Sequence, residues 1–449
     1  MPLLRGRSLK ENHVPPDVLA VLRAPEGAAA IDDAVAALAR GDGELSVLSA
    51  LRRTHPPAVA AEILTQARLR PKALAKVGPR AQRMLLIDES LQQASRAEVS
   101  ALRARRLLER GVTAITDAGA GIGADTIAYA EAGLEVTAIE RDPDVAAVLR
   151  HNTRGLRVTV IEGDATENLP AAGTVYFDPA RRSDGRRIFD PEACTPPLSS
   201  LVSAYERGLA VVAKMSPSLD LAQVPTGWDV DWVSTQTEQG RSVVEAVLWS
   251  PPLAVGTRSA YVLRPGSAAV IAAGIASPTD VPDAEAIGRS TSTPAAGTSA
   301  ATGSSTRVLA TASIGRPTCA PAAASIGRYI YEPDGAVNQA ELIGVLADQI
   351  GAGQLTPRIA YLTGDLAIET PLAHRFEVLE SLPWSKRAVA RALSSYDAAD
   401  LVVKKRGVNL DPTALRKELL PRLRSHTGDP IVLILLPYAG AELAVLARG

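Results

Sequence analysis

The sequence predicts an α/β fold, with a helical segment before a mostly parallel sheet and a small α+β domain after it. Three observations support this prediction. Between Gly111 and Ser250, short apolar runs alternate with helical stretches, as in βαβ units. Residues 28–110 repeat apolar side chains at helical spacing and show no strand pattern. After residue 326, strand and helix patterns resume behind a low-complexity stretch.

Composition describes an ordinary globular protein of two or three domains. The chain has 449 residues, 46% apolar and 22% charged, with a net charge of -1. Its first residues carry charges and prolines where a secretory signal needs an apolar run, and no run is long enough to span a membrane. Cys194 and Cys319 lack CxxC spacing, and no two histidines form HExxH. We therefore expect a cytoplasmic protein without a disulfide framework, a metal site or a membrane partner.

The first predicted domain, residues 1–110, is helical. Its last helix has an S-x-x-E capping box at Ser95 and Glu98, and Gly111 is a plausible stop. An earlier part of this domain contains several basic residues with no acidic residue between them. Such a stretch can bind a phosphate backbone or can form a solvated helix face. The basic residues are Arg68, Arg70, Lys72, Lys76, Arg80 and Arg83.

The second predicted domain, residues 111–265, contains seven strands. The last two are separated only by QTEQGR, too short for a crossover helix, so they should pair antiparallel. The predicted strands are VTAITDA (112–118), EVTAIE (135–140), VTVIEG (158–163), TVYFD (174–178), LAVVAKM (209–215), WDVDWVST (228–235) and SVVEAVLW (242–249).

Two further segments complete the predicted organisation. Residues 266–326 are dominated by Ala, Ser, Thr, Gly and Pro, which favours a disordered linker or insertion. Residues 327–449 form a small α+β domain, in which Asp411 caps a helix with Pro412 at its first position. This domain contains a second basic stretch, KKRG at 404–407. It too can bind a phosphate backbone or can form a solvated face.

A glycine-rich turn follows the first strand of the second domain. Gly119, Gly121 and Gly123 allow a sharp turn close to a ligand, and the next helix offers free N–H groups there. Glu140 ends the second strand, where a carboxylate can accept hydrogen bonds from both ribose hydroxyls. The pattern predicts a nucleotide-like ligand.

A dinucleotide site is the alternative at this turn, because Gly119, Gly121 and Ala124 also satisfy G-x-G-x-x-A. Asp117 argues against it, since a dinucleotide site usually keeps an apolar residue just before the first glycine. Gly123, which completes G-x-G-x-G, argues the same way.

Acidic residues end four successive strands: Asp117, Glu140, Asp164 and Asp178. The carboxyl ends of parallel strands meet along one crevice, so these acids should lie together there. Packing alone does not explain four acids in such positions.

The stretches DAGAGIGA, AIERD, EGDA and FDPAR resemble the ordered motifs of class I S-adenosylmethionine-dependent methyltransferases. The resemblance implies a Rossmann-like seven-stranded methyltransferase sheet and S-adenosylmethionine as cofactor. It implies that Asp117 and the three glycines hold the methionine part, Glu140 the ribose and Asp164 the adenine amino group.

Asp178 and Pro179 are similar to the D-P-P-aromatic motif of enzymes that methylate exocyclic nitrogens, and the resemblance gives them the catalytic role of orienting the acceptor. The sequence departs from that motif at Ala180 and Arg181. Arg181 and Arg182 could grip a substrate phosphate or stack on a base, or they could be a solvated pair. Phe189 or Tyr176 could supply the aromatic ring.

The domain order and the run VVKKRGVNLDP resemble methyltransferases with a C-terminal THUMP-like domain. The helical start, the motif order and HN at 151–152 are distantly similar to RNA cap guanine-N2 methyltransferases. The THUMP-like resemblance implies an RNA partner, and together with the motif at Asp178 and Pro179 it implies methylation of a base nitrogen. A small-molecule or protein methyltransferase, and a non-catalytic RNA-binding protein that keeps the cofactor fold, stay open as alternatives.

Overall fold

The computed structural model describes residues 15–179, 182–183, 186–187, 190–237, 240–274, 307–312, 325–356 and 359–449. The chain divides into two compact units, residues 1–214 and 215–449. Each unit has its own sheet structure and hydrophobic core.

The first unit begins with the predicted helices, whose apolar faces join the core of the following sheet. One buried cluster includes Ile63 and Leu86 from the helical segment together with Ile122, Ile127 and Val148 from the sheet portion. The helical segment and the sheet portion therefore share one core. The helices are α1 (Pro16–Arg23), α2 (Pro25–Ala39), α3 (Glu44–Leu51), α4 (Pro57–Val77), α5 (Asp88–Gln93) and α6 (Ala97–Glu109).

The predicted capping box at the start of α6 is wrong. The N-cap residue is Arg96, and no side chain caps the helix. The Ser95 hydroxyl instead donates to the Asp125 carboxylate at 2.9 Å. A buried carboxylate attracts a hydroxyl more strongly than a partly solvated helix end does, so the tertiary contact prevails.

The sheet of the first unit is parallel throughout, in the order β7-β4-β1-β2-β3. Its order changes direction at β1, with β2 on one side and β4 on the other. In open α/β sheets, ligands bind at such a point, beyond the carboxyl ends of the strands. The elements are β1 (Ala114–Ala118), α7 (Ala124–Glu131), β2 (Glu135–Glu140), α8 (Pro143–Asn152), β3 (Val158–Glu162), β4 (Gly173–Phe177), β5 (Arg182–Ser183), β6 (Arg186–Arg187), α9 (Leu198–Glu206) and β7 (Leu209–Met215).

The second unit contains the last two predicted strands, and they pair antiparallel as expected. The strands β8 (Asp229–Thr237), β9 (Gly240–Trp249), β10 (Thr257–Arg264), β11 (Ser267–Gly274) and β12 (Arg307–Ala312) follow one another along the chain. They lie in the order β12-β11-β10-β8-β9. All seven predicted strands are present in the two units, and β10, β11 and β12 were not predicted.

Strand β11 corrects the prediction of a linker from residue 266. It pairs with β10 over its full length, and Ala268, Ala269, Ile271 and Ala273 are buried. Alanines contribute little hydrophobic signal to a sequence, but the backbone pairs regardless of side-chain size. The rest of the predicted linker, apart from β12 and residues 325–326, lies outside the described residues.

The C-terminal part of the second unit is a seven-stranded sheet with helices, in the order β14-β15-β13-β16-β19-β18-β17. Strand β18 is buried on both faces, since Leu433 and Leu435 enter one apolar cluster and Ile434 and Leu436 another. Asp411 caps a helix as predicted, by accepting from the Thr413 amide. The elements are β13 (Tyr329–Pro333), α10 (Gly335–Gln339), α11 (Ile343–Ile350), β14 (Gly353–Thr356), β15 (Ile359–Gly364), β16 (Ala373–Pro383), α12 (Lys386–Leu393), β17 (Leu401–Lys405), α13 (Pro412–Leu419), β18 (Ile431–Tyr438) and β19 (Ala441–Arg448).

Candidate functional site

The glycine-rich turn between β1 and α7 has the backbone conformation that the sequence predicts. Gly119, Gly121 and Gly123 have φ angles of 98°, 56° and 92°, in the region that favours glycine. A Cβ atom on Gly119 or Gly121 would meet no atom within 4 Å, so the turn presents open backbone there. A Cβ on Gly123 would lie 2.7 Å from Leu149 Cδ1, so this glycine allows α7 to pack closely against α8.

Glu140, at the end of β2, faces the glycine turn. Its Oε2 accepts a hydrogen bond from the Gly121 amide at 3.0 Å, and its Oε1 accepts one from the Asp142 amide at 2.9 Å. A carboxylate has about four acceptor positions, so both oxygens can accept further hydroxyl donors. The carboxylate thus fixes the turn and can still bind a ligand.

Asp164 lies two residues beyond β3 and is exposed. Its Oδ1 accepts from the Thr166 amide at 2.8 Å and from the Thr166 hydroxyl at 2.6 Å. These two hydrogen bonds hold the pKa of Asp164 below its ordinary value. The residue therefore presents an ionised carboxylate to solvent at the edge of the sheet.

Asp117, in β1, is a buried carboxyl with a strongly perturbed pKa. Its side chain accepts from the Thr126 hydroxyl, and the residue is 2% exposed. Burial, followed by the nearby Asp125 carboxylate, raises the pKa of Asp117 to about 7, although the Thr126 hydrogen bond opposes the rise. This carboxyl titrates near neutral pH.

A buried polar network lies next to Asp117 and centres on Asp125 of α7. Burial acts to raise the pKa of Asp125, but Arg103, Lys214 and two serine hydroxyls outweigh it and bring the pKa down to about 2. Asp125 is therefore a permanent anion beside a carboxyl that titrates. It accepts hydrogen bonds from Ser95 at 2.9 Å, Ser100 at 2.5 Å, Arg103 at 2.8 Å and Tyr176 at 3.3 Å.

Asp178 directly follows β4 and forms an ion pair with Lys214, a residue that was not predicted from the sequence. Lys214 Nζ lies 2.6 Å from Asp178 Oδ2, and the two side chains are 5% and 25% exposed respectively. Lys214 also donates to the Gln93 carbonyl at 3.4 Å. The signal was present in the sequence, because a lysine near the end of the apolar run LAVVAKM is costly to bury without a partner.

The structure brings the four predicted acids to one edge of the sheet. Asp117, Glu140, Asp164 and Asp178 lie at or just beyond the carboxyl ends of the neighbouring strands β1, β2, β3 and β4. Asp178 is near enough to Asp117 to contribute to the rise in its pKa. The predicted placement of these four acids at one edge of the sheet is therefore a feature of the structure.

The loop after Asp178 is described only in part. Pro179 is buried, whereas Ala180, Arg181 and Phe189 lie outside the described residues. Arg182 belongs to the short strand β5, and only its backbone is described.

The expectation that Tyr176 supplies a stacking ring is wrong. Tyr176 is 1% exposed, and its ring packs under the Arg103 guanidinium at 4.7 Å and edge-on to Tyr129. It belongs to the buried network.

The basic stretch from Arg68 to Arg83 does not form one solvated surface. Arg70 is buried and donates to the carbonyls of Ala81 and Met84, while Lys76 donates to the carbonyls of Leu91 and Gln92. Both side chains therefore satisfy backbone carbonyls where the chain turns, which overturns the phosphate-tracking prediction for them.

The C-terminal basic stretch is partly neutralised. Glu332 lies 2.7 Å from Lys404 Nζ and 3.7 Å from an Arg406 nitrogen, and Lys405 between them is exposed.

Comparison with known proteins identifies the family. The chain is 31% identical, over 362 residues, to proteins of two Mycobacterium tuberculosis strains described as uncharacterized S-adenosylmethionine-dependent methyltransferases. The match covers 80% of this chain and 86% of each relative. The chain belongs to the S-adenosylmethionine-dependent methyltransferases. S-adenosylmethionine is accordingly its cofactor.

A solved structure has the same fold as this methyltransferase. It is a putative methyltransferase from Porphyromonas gingivalis, 22% identical, with a TM-score of 0.63 over 88% of this chain and 92% of the other. The predicted Rossmann-like fold class is thereby confirmed. Residues 373–449 match a family described as THUMP domain-like, as the sequence analysis expected, and residues 15–73 match a domain of unknown function.

The residues of the methyltransferase site fit this cofactor. The open backbone at Gly119 and Gly121 leaves room for a ligand against the turn, and Glu140 offers acceptors for a ribose. The Asp117 carboxyl suits a cationic amino group, because a buried carboxyl gains more from a neighbouring cation than an exposed one does.

Among the described residues, three or more His, Cys, Asp or Glu side chains nowhere gather as a metal site would require. In the same part of the chain, every helix is too short or too polar to cross a membrane.

Proposed function

We propose that this methyltransferase acts in the cytoplasm and transfers its methyl group to a base nitrogen of RNA. The observation that carries the base-nitrogen part is the Asp178 carboxylate, held by Lys214 at the end of β4 and followed by Pro179. The THUMP domain-like match at residues 373–449 supports the RNA part, because THUMP domains bind RNA in RNA-modifying enzymes.

In this proposal Asp117, Gly119, Gly121 and Gly123 hold the methionine part of the cofactor. Glu140 binds the ribose hydroxyls, and Asp164 accepts from the adenine amino group. When bound, S-adenosylmethionine supplies a methyl group on a positively charged sulfur, which is already a strong electrophile. The protein therefore needs to orient the acceptor and exclude water rather than activate a leaving group.

Asp178 orients the acceptor. Lys214 occupies Oδ2, which leaves Oδ1 to accept a hydrogen bond from the amino group of the base. The nitrogen lone pair then forms the new bond to the methyl carbon, and the electron pair of the broken bond stays on sulfur. Asp178 positions the nitrogen, whose proton is lost to water. Arg181 and Arg182 are proposed to contact the RNA in the loop that follows.

Methyl transfer to RNA from a gene-deletion strain tests the proposal. Total RNA from the deletion strain and from its parent is incubated with the full-length enzyme and labelled S-adenosylmethionine. We expect label only in RNA from the deletion strain, since the parent RNA is already methylated at the target. Digestion to nucleosides then identifies the methylated base. Absence of label from both RNAs, with cofactor binding intact, would reject RNA in favour of a protein or small-molecule acceptor or a binding role.

Two variants test the role of Asp178. Asp178→Asn should reduce transfer by at least about 100-fold and change the Kd of S-adenosylhomocysteine by no more than a few fold. Glu135→Gln is the control, because Glu135 begins β2 at the opposite edge of the sheet and is exposed. Equal activity of Asp178→Asn and the control would remove Asp178 from the mechanism.

Ionic strength tests the RNA contact separately. Basic side chains that neutralise RNA phosphates release the counterions bound there. The affinity for RNA should therefore fall steeply as the salt concentration rises. A flat response would favour a partner without a phosphate backbone.

A further inference from the structure

A cavity of about 660 Å³ lies within the first unit. Its walls come from α1, α2, α4, the segment 79–85, α7 and the end of α8 with the residues that follow. This volume is within the range of pockets that hold nucleotide-sized ligands.

The wall of this cavity is strongly cationic. Five arginines and one histidine line it, against the two carboxylates of Asp32 and Glu131. Glu131 is already paired with Arg80 at 2.8 Å. Within the part of the chain that the structure describes, Arg23, Arg83 and Arg154 make no ion pair. The cavity therefore carries positive charge that the protein itself leaves uncompensated.

The cationic groups of the wall lie close enough to repel one another. Burial, and then the neighbouring Arg154, lowers the pKa of Arg23, and burial followed by Arg23 lowers the pKa of His151. A negatively charged ligand in the cavity would relieve this repulsion.

The lining of the cavity also includes apolar side chains. Ile31, Leu85 and Leu156 line it together with the cationic groups. A ligand that contacts both kinds of residue carries a phosphate and a largely apolar part.

We propose that this cavity binds a nucleotide through its phosphate, with Arg23, Arg83 and Arg154 contacting the phosphate and the apolar lining residues contacting the base. The nucleotide is either free in solution or part of an RNA chain, and the two sources share this chemistry. None of the residues proposed to hold the cofactor or the methyl acceptor lines this cavity.

Calorimetry with the full-length protein tests the site. Adenosine diphosphate and an octaribonucleotide are titrated separately in the presence of saturating S-adenosylhomocysteine, so that the cofactor site is already filled. The variant Arg83→Gln with Arg154→Gln removes two exposed cations that have no ion pair to lose. The control, Arg157→Gln with Arg207→Gln, removes two exposed cations that do not line the cavity.

We expect the wild-type protein to bind at least one probe and the cavity variant to bind it at least about 30-fold more weakly. The control variant should stay within about twofold of wild type. Binding of adenosine diphosphate would assign a free nucleotide, whereas binding of the octaribonucleotide alone would assign RNA. Absence of binding by wild type at millimolar probe, or equal losses in the two variants, would overturn the proposal. Neither result would bear on methyl transfer, which is measured separately.

Discussion

Cofactor binding should strengthen as the pH rises through 7, because Asp117 must ionise to receive the amino group of the methionine part. With a pKa of about 7, about 10% of the carboxyl is ionised at pH 6 and about 90% at pH 8. If only the ionised form binds, the Kd at pH 6 should be about tenfold higher than at pH 8. Burial, Asp125 and Asp178 raise this pKa, whereas the Thr126 hydrogen bond and Arg103 lower it, so the pH window depends on burial and on these neighbours.

The same carboxyl changes the free energy of unfolding with pH in the opposite direction from an aspartate whose folded-state pKa is lowered. Its folded-state pKa is raised, so between about pH 4 and pH 7 the folded protein holds a proton that the unfolded chain has lost. The free energy of unfolding should therefore fall as pH rises through this window. The bound cofactor supplies a cation, so it should raise the Tm more at pH 8 than at pH 6.

Titration calorimetry with S-adenosylhomocysteine measures this dependence directly. Repeating the titration at pH 6 in buffers of different ionisation enthalpy should show nearly one proton released for each ligand bound, and much less at pH 8. Asp117→Asn should abolish the pH dependence, whereas Glu135→Gln should retain it. A wild-type Kd that changes less than twofold between pH 6 and pH 8, or an equal slope in Asp117→Asn, would refute the reasoning.

Three further predictions concern stability and positioning. Lys214→Met should lower kcat about tenfold and leave the KM for the cofactor unchanged, since it frees Asp178 without touching the glycine turn; a raised cofactor KM would show a different role. Arg103→Met should cost roughly 3–5 kcal/mol in urea unfolding, because it leaves the Asp125 carboxylate buried and unpaired. A second change, Asp125→Leu, should recover most of that loss, and further destabilisation by it would contradict this account. Gly123→Ala should destabilise by at least roughly 2 kcal/mol, against about 1 kcal/mol for Gly121→Ala, because only the former adds a clash to the strained φ angle.

The sequence was sufficient to predict the parallel strands and the glycine turn. Their signals are local, because a strand, a tight turn and a helix follow one another within about 25 residues. The residues around Gly119 and Gly121 already indicate a tight turn, and the two glycines have positive φ angles there. The position of Glu140 followed from the rule that acids at strand ends share one edge.

The sequence was insufficient where a side chain finds its partner far along the chain. Lys214 binds Asp178, 36 residues away, and Ser95 binds Asp125, 30 residues away. Periodicity does not report such pairs, so a capping motif was predicted where a buried network exists. Arg70 was assigned to a basic surface because charge alone does not show burial.

The contacts of Asn152 and Asp125 determine how small a working transferase can be made. The Asn152 amide joins both backbone groups of Leu85 to the Ile122 carbonyl, and Asp125 depends on Ser95, Ser100 and Arg103. A fragment cut just before Gly111 would keep every strand of the first sheet but expose apolar side chains and deprive the buried Asp125 carboxylate of its contacts with Ser95, Ser100 and Arg103. The helical segment therefore cannot be exchanged as a module, and grafting the sheet onto another carrier would have to bring residues 15–110 with it.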